Sequence, residues 1–415
     1  MKKAVLIKWL KYKQIETDEM EDLARAAGYT IIREDRFKTD KPHREHFIPM
    51  QKFENLKEFL EDYKHEEVTI LIDGYILPHQ MQEIKNQTDC EVVDKVMLVL
   101  EIFELRASTK DVLLQIEMAR LIYTSPQVTS MISQNVQTER QARERGSGEQ
   151  ITDVAKTNIS NRIAKMRKQL DAMKSRTDLS ISRDGVQRIP IIGFYSAGKS
   201  TLFNILTGSD QEVHEKAFTT MFSKIQRSSK FGYPLDFVDT VGLVDLPNNV
   251  LNAFNLLLEP LFSTPVIAIA LDSTIFLNEW EIQLSQINDI IHRFTKDREP
   301  KFIVIHTKMD LADRGTLRGR SDILKTFYED GTYAEITTRK DKPDLATEAF
   351  IKAFEYLAED LLVHFEFEEV TPAALSSIFD LARVEEQEWG NHGTCKVKGT
   401  TLHTLFTQIQ EHGMR

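Results

Sequence analysis

Along the first hundred residues, short β-branched runs alternate with stretches whose apolar positions recur every three or four residues. Residues 4–7, 29–32, 68–72 and 91–93 read as strands, and 18–27, 52–63 and 79–85 as helices. This alternation predicts a small open sheet covered by helices. From Asp94 to about Thr177 the period becomes helical throughout, with Leu113, Ile116, Met118 and Leu121 followed by Ile159, Ile163, Met166, Leu170 and Met173. Two long helices joined near Arg145-Gly146-Ser147-Gly148-Glu149 are expected, forming an antiparallel hairpin.

A third pattern begins at Arg188. Apolar runs at 189–192, 235–238, 265–271, 301–306 and 333–336 are separated by helical stretches, as in a doubly wound α/β domain. The tail predicts a helix over 372–384, a strand over 394–398 and a last helix over 401–410. The fold class expected is therefore α/β. Its parts are an α/β domain (1–105), a helical hairpin (106–186), a doubly wound α/β domain (187–365) and a small α+β region (366–415). The 415-residue length suits several cores.

Composition narrows the class. Hydrophobic residues make up 41% and charged residues 28%, as in a water-soluble globular protein. The longest apolar runs, such as 266–271, fall far short of the roughly 20 residues that span a bilayer, so no transmembrane segment is expected. The start, MKKAVLIKWL, lacks a long apolar core and a small-residue cleavage site, so no secretory leader is expected either. Cys90 and Cys395, the two cysteines, stand alone and exclude a disulfide framework, which fits a reducing cytoplasm.

Net charge is −11, which argues against a nonspecific nucleic-acid binder. The charge is uneven: 15 basic and 9 acidic residues lie between Arg106 and Arg188. That stretch is either a docking surface or a solvated helical face. The histidines show no metal-ligand spacing, and His306 reads as a strand-end residue. Trp280 and Trp389 are expected in cores.

The strongest chemical signal is Gly193-Phe194-Tyr195-Ser196-Ala197-Gly198-Lys199-Ser200, placed between an apolar strand and a helical run. Glycines let backbone N–H groups wrap phosphates, and the following helix adds a positive end. Lys199 would reach the β- and γ-phosphates, Ser200 would ligate Mg²⁺, and Gly193, Ser196, Ala197, Gly198 and Thr201 complete the phosphate cradle.

Two further elements follow in order. Asp239-Thr240-Val241-Gly242 comes after a strand, placing Asp239 near Mg²⁺ and the Gly242 N–H near a γ-phosphate. Thr307-Lys308-Met309-Asp310 follows another. A carboxylate there accepts from guanine N1–H and the exocyclic amine, donors that adenine lacks, so Asp310 selects GTP over ATP. Together these imply a GTPase. In Phe218-Thr219-Thr220, Thr220 is the candidate that closes the Mg²⁺ shell; an ordinary strand edge is the other reading.

With these motifs the chain resembles the HflX-type GTPases of the Obg–HflX group over nearly its whole length. The similarity is carried by GFYSAGKSTLFNILTG, FTT and DTVGLVDLP, and by the segment DCEVVDKVMLVLEIFELRASTKDVLLQIEMARLIY. The turn Gly146-Ser147-Gly148-Glu149 is similar to the family's glycine-rich loop. The resemblance implies an N-terminal HflX-type domain and binding to the large ribosomal subunit, with rRNA contacts through the N-terminal and helical regions. Ribosome dissociation is an activity of bacterial members. It also places Ile336-Thr337-Thr338 near the loop whose backbone contacts guanine O6, adding Thr337 and Thr338 to the guanine side with Thr307 and Lys308.

The chain departs from the family's pattern at several positions. Ser196 stands where the family has Asn, so a stimulating K⁺ ion is not expected. Leu243 follows Gly242 and cannot orient water, so no catalytic side chain is assigned and slow intrinsic hydrolysis is expected. Thr307 replaces Asn, which removes an amide that braces the phosphate loop. The expected molecule is a monomeric, cytoplasmic, GTP-driven ribosome factor. A non-ribosomal protein-interaction switch and a hydrolysis-deficient GTP-binding scaffold are the alternatives.

Overall fold

The computed structural model describes residues 2–10, 19–39, 41–74, 76–107, 109–140, 147–181, 186–208, 224–228, 230–232, 234–240, 244, 246–295, 299–312, 316–339, 341–390 and 394–413. The chain divides into two compact units. One comprises Met1–Met173 with Leu246–Phe254, the other Lys174–Asp245 with Asn255–Arg415.

The first unit begins β1 (Lys2–Leu10), α1 (Glu19–Ala26), β2 (Tyr29–Lys38), α2 (Met50–Glu61), β3 (Val68–Asp73), α3 (Pro78–Thr88) and β4 (Glu91–Asp94). The four strands form a parallel sheet in the order β2-β1-β3-β4. Ala4 to Ile7 and Ile70 to Ile72 are fully buried because helices cover both faces of central parallel strands. Lys8 is buried as well, with its ammonium between the carboxylates of Glu21 and Glu34.

Helices α4 (Lys95–Arg106), α5 (Lys110–Arg140) and α6 (Ser147–Ile181) follow. The expected first helix of the hairpin is thus two. Ala107 is extended (φ −68°, ψ 125°), and the chain restarts with Leu113 N–H donating to Thr109 O at 3.1 Å. Asp94 caps α4, accepting from Met97 N–H at 2.9 Å and from the Tyr123 hydroxyl of α5. Leu246–Phe254 belongs to this unit: Val250, Leu251 and Phe254 are fully buried, and the Phe254 ring meets Phe103 edge-on at 6.0 Å.

The second unit carries β5 (Gln187–Ile192), α7 (Lys199–Thr207), β6 (Lys224–Arg227), β7 (Leu235–Asp239), and, beyond the short α8 (Asn248–Leu251) of the first unit, α9 (Asn255–Phe262). It continues with β8 (Val266–Asp272), α10 (Leu277–Thr295), β9 (Lys301–Thr307), α11 (Thr316–Phe327), β10 (Tyr333–Thr337) and α12 (Pro343–Leu357). The sheet order is β10-β9-β8-β5-β7-β6, with every strand parallel except the edge strand β6. The five parallel strands therefore deliver their following loops to one edge, where ligands bind in open α/β sheets.

The tail forms a three-stranded antiparallel sheet, β11-β13-β12, from β11 (Leu362–Val370), α13 (Pro372–Leu381), β12 (Ala382–Trp389), β13 (Cys395–Leu402) and α14 (His403–Gly413). The helix expected over 372–384 stops at Leu381, and Ala382 onward is strand. On one face Glu366 and Glu386 flank Lys398 in register, and Glu388 lies beside Lys396. Trp280 is fully buried as expected, whereas Trp389, at the end of β12, is 55% exposed and joins no core.

Candidate functional site

The phosphate loop leaves the end of β5 and enters α7. A Cβ on Gly193 would lie 2.3 Å from the Ala270 carbonyl oxygen of β8, so only glycine lets the loop turn this close to the sheet. Gly198 has φ +84° at the N-terminus of α7, a conformation that glycine adopts without strain. Lys199 folds back over the loop and donates to the Phe194 carbonyl at 2.6 Å, with its side chain buried. The helix N-terminus and this ammonium give the loop a positive interior suited to phosphate. Thr201 is exposed on the first turn, and Ala197 is buried beneath the loop.

Ser200 Oγ donates to Asp239 Oδ2 at 3.0 Å, so the hydroxyl after the lysine and the carboxylate ending β7 converge. The Thr240 hydroxyl donates to the Ile191 carbonyl at 2.7 Å and holds the exit of β7 against β5. Ser200 and Asp239 supply hard oxygen donors, the chemistry that Mg²⁺ takes when substrate phosphates fill most of its shell. No group of three or more His, Cys, Asp or Glu suited to a metal occurs among the described residues. Thr220, Gly242 and Leu243 lie outside the described residues.

On the other side, Thr307 ends β9. Its Oγ1 lies 2.7 Å from the Ala197 carbonyl and 3.1 Å from the Leu271 carbonyl, sharing one proton between two acceptors. The brace expected to be lost with the Asn-to-Thr departure is therefore made by the hydroxyl. Lys308 Nζ reaches Asp272 Oδ2 at 2.7 Å and Ser196 Oγ at 3.3 Å. Both Ser196 (φ +58°) and Lys308 (φ +56°) hold left-handed backbone, which costs non-glycine residues energy and is kept where the surroundings impose it.

The third loop is tied to the second. Thr338 N–H donates to the His306 carbonyl at 2.8 Å, and Met309 N–H donates to the Thr338 carbonyl at 3.2 Å. Thr337 ends β10 as an exposed residue, and Asp310 is exposed beyond Lys308. The sequence reading missed Asp272, which positions Lys308 and closes its own turn by accepting from Thr274 N–H at 2.8 Å. Its signal was available: an acidic residue directly after the apolar run 266–271, in the same strand-end position as Asp239.

Comparison with known proteins agrees with this geometry. Residues 14–104 match the family described as GTP-binding GTPase N-terminal, 106–183 the GTP-binding GTPase Middle Region, and 188–308 the 50S ribosome-binding GTPase. GTPase HflX of Thermococcus kodakarensis is 28% identical over 402 residues, covering 91% of this chain and 87% of that protein. GTPase HflX of Hyperthermus butylicus is 30% identical over 262 residues, 62% of this chain and 69% of that protein. A crystal structure of a Sulfolobus solfataricus GTP-binding protein in complex with GDP shares the fold, with a TM-score of 0.51 at 22% identity. It covers 86% of this chain and 99% of that one. The order of phosphate loop, strand-end Asp239 and Thr307–Asp310, on a chain similar to these proteins over most of its length, makes this a member of the HflX GTPase family that binds and hydrolyses GTP.

Proposed function

We propose that this GTPase is a cytoplasmic, monomeric switch that binds the large ribosomal subunit in its GTP state and leaves after hydrolysis. One observation carries the reading. Between Val154 and Leu170, α6 bears five Lys and Arg residues and no Asp or Glu, in a chain of net charge −11. Of these, Lys156, Arg162, Lys165, Arg167 and Lys168 are all exposed. A helix face of this kind suits RNA phosphates, which release counterions on contact with Lys and Arg.

The nucleotide chemistry follows from the site. Lys199 and the loop N–H groups hold the β- and γ-phosphates, and Asp310, with the Thr337–Thr338 backbone, reads guanine. Lys308 is steadied for its place beside the base by Asp272. Mg²⁺, held by Ser200, Thr220 and the phosphates with Asp239 behind them, would neutralise charge on the leaving phosphate oxygens. Leu243 leaves no side chain to orient water, so a partner supplies the missing group and intrinsic turnover is slow.

The switch has a route into the first unit. Gly242 senses the γ-phosphate through its N–H, and only four residues later Leu246 opens the segment packed with α4 and α5.

Charge reversal tests the reading. Lys165→Glu with Lys168→Glu should abolish stimulation of GTP hydrolysis by purified large subunits while leaving GDP affinity intact. Full stimulation of the double variant would refute it. A second reading, a protein-partner switch, is favoured by the exposed acidic strands of the C-terminal sheet, where Glu366, Glu386 and Glu388 border Lys396 and Lys398.

A further inference from the structure

Behind the base-reading loops lies a buried polar stack whose members the guanine contacts do not use. His306, next to last in β9, is fully buried. Its ring lies parallel to the buried Trp280 indole of α10, with centroids 5.6 Å apart and planes within 8°. The same indole carries the guanidinium of buried Arg320 from α11 at 5.7 Å. Arg320 in turn donates to the Ile275 carbonyl at 2.8 Å, in the loop that follows Asp272.

The imidazole edge faces β10. His306 Nε2 stands 2.8 Å from Glu335 Oε1, and Ser321 Oγ of α11 donates to the same oxygen at 2.7 Å. Burial opposes ionisation of Glu335, but the contacts with His306 and Ser321 outweigh it and hold the carboxyl below its usual range. It is therefore a charged acceptor at neutral pH. The backbone of His306 accepts from Thr338 N–H, so the residue that precedes Thr307 contacts the Thr337–Thr338 loop through its main chain and β10 through its side chain.

A leucine would fill this site at no desolvation cost, whereas the fully buried imidazole is set 2.8 Å from the half-buried Glu335 carboxylate. Among the described residues, His306 Nδ1, Trp280 Nε1 and Arg320 Nε and Nη1 are buried without a hydrogen-bond partner, so ring stacking and the approach of His306 to Glu335 hold the group together. The group joins β9, β10, α10 and α11 at the strand ends where Thr307–Asp310 and Thr337–Thr338 begin.

We propose that His306 is a positioning residue for guanine recognition. Held by Trp280 and Glu335, it sets the spacing between the Thr307–Asp310 loop and the Thr337–Thr338 loop, and with it the preference for guanine over a purine lacking the exocyclic amine. The proposal rests on the reading of those two loops as the guanine pocket.

The test measures GDP and inosine diphosphate affinity, GTP KM and kcat, and thermal unfolding on the full chain. His306→Leu should weaken GDP binding about tenfold and narrow the preference for GDP over inosine diphosphate. It should raise KM with little change in kcat. His306→Gln, which keeps a donor toward Glu335, should recover most of the affinity and preference. Wild-type selectivity in His306→Leu, or equal losses in the Leu and Gln variants, would overturn the proposal. If His306→Leu does not fold, Glu335→Gln tests the other end of the contact: narrowed selectivity supports the proposal and wild-type selectivity overturns it. Asp310→Ala separates the two readings, because GDP affinity unchanged by that substitution sinks the guanine pocket itself.

Discussion

The Thr307 hydroxyl lies 2.7 Å from the carbonyl of Ala197, so one side chain ties the Thr307–Asp310 loop to the Gly193–Ser200 loop across 110 residues of sequence. The contact is buried, and a Cβ on Gly198 would already stand 3.4 Å from Thr307 Cβ. The two halves of the nucleotide site are in contact before any ligand bridges them.

Thr307→Val keeps the shape and removes the hydroxyl. Loss of one buried neutral hydrogen bond is worth about 1 kcal/mol, or roughly fivefold in GDP affinity. Calorimetric titration with GDP checks this, and Thr307→Asn should restore tight binding. Affinity unchanged in Thr307→Val would mean that the brace is energetically idle.

Ser196 Oγ lies beside the Lys308 ammonium, at 3.3 Å. A cation next to that hydroxyl would face a resident positive charge, and serine offers no amide carbonyl to offset it. GTP hydrolysis should therefore run at the same rate in KCl and NaCl. Ser196→Asn should introduce a potassium preference. Stimulation of the unaltered protein by K⁺ alone would contradict this account of the position.

In the first unit, buried His46 stacks between His43, with centroids 3.9 Å apart, and Phe53, at 4.9 Å. Burial, and then the neighbouring His43, push its pKa below the ordinary value. The unfolded chain thus takes up a proton near pH 6.5 while the folded chain does not. Stability from the neutral form is fully present above that pH and is lost as the pH falls through it toward the lower folded value. Thermal unfolding between pH 7.5 and 5.5 should show a steeper loss for the unaltered protein than for His46→Phe. Parallel curves would exclude His46 as the source.

Asp94 closes α4 and receives the Tyr123 hydroxyl from α5. Asp94→Ala removes a cap and leaves a buried phenol without its acceptor, a loss of about 2–4 kcal/mol. Tyr123→Phe removes only the hydroxyl's share and should destabilise less. Denaturant unfolding of the two variants gives the order directly, and equal losses would show that the cap contributes nothing.

Much of the architecture was legible because its signals are local. The buried strands 4–7, 70–72 and 266–271 are unbroken apolar runs, and the phosphate loop is written in glycines that the geometry demands at Gly193 and Gly198. What escaped depends on distant partners. Residues 382–384 read as the end of a helix, yet pairing of 382–389 with β13 makes this charged segment a strand. The break at Ala107 carries neither glycine nor proline, and β6 is a strand only because β7 lies beside it. The brace by Thr307 was misread because an amide was looked for where a hydroxyl reaches. Asp272 was passed over for the same kind of reason: its partner Lys308 is brought to it only by the parallel pairing of β8 with β9.

The central claim is tested most directly by co-sedimentation with purified large ribosomal subunits, in GDP, a non-hydrolysable GTP analogue and the matching ATP analogue. The account predicts binding with the GTP analogue that weakens steeply as salt rises, and release in GDP or with the ATP analogue. Absence of binding in every nucleotide state, with GTP affinity intact, would contradict it and leave the protein-partner switch as the standing reading.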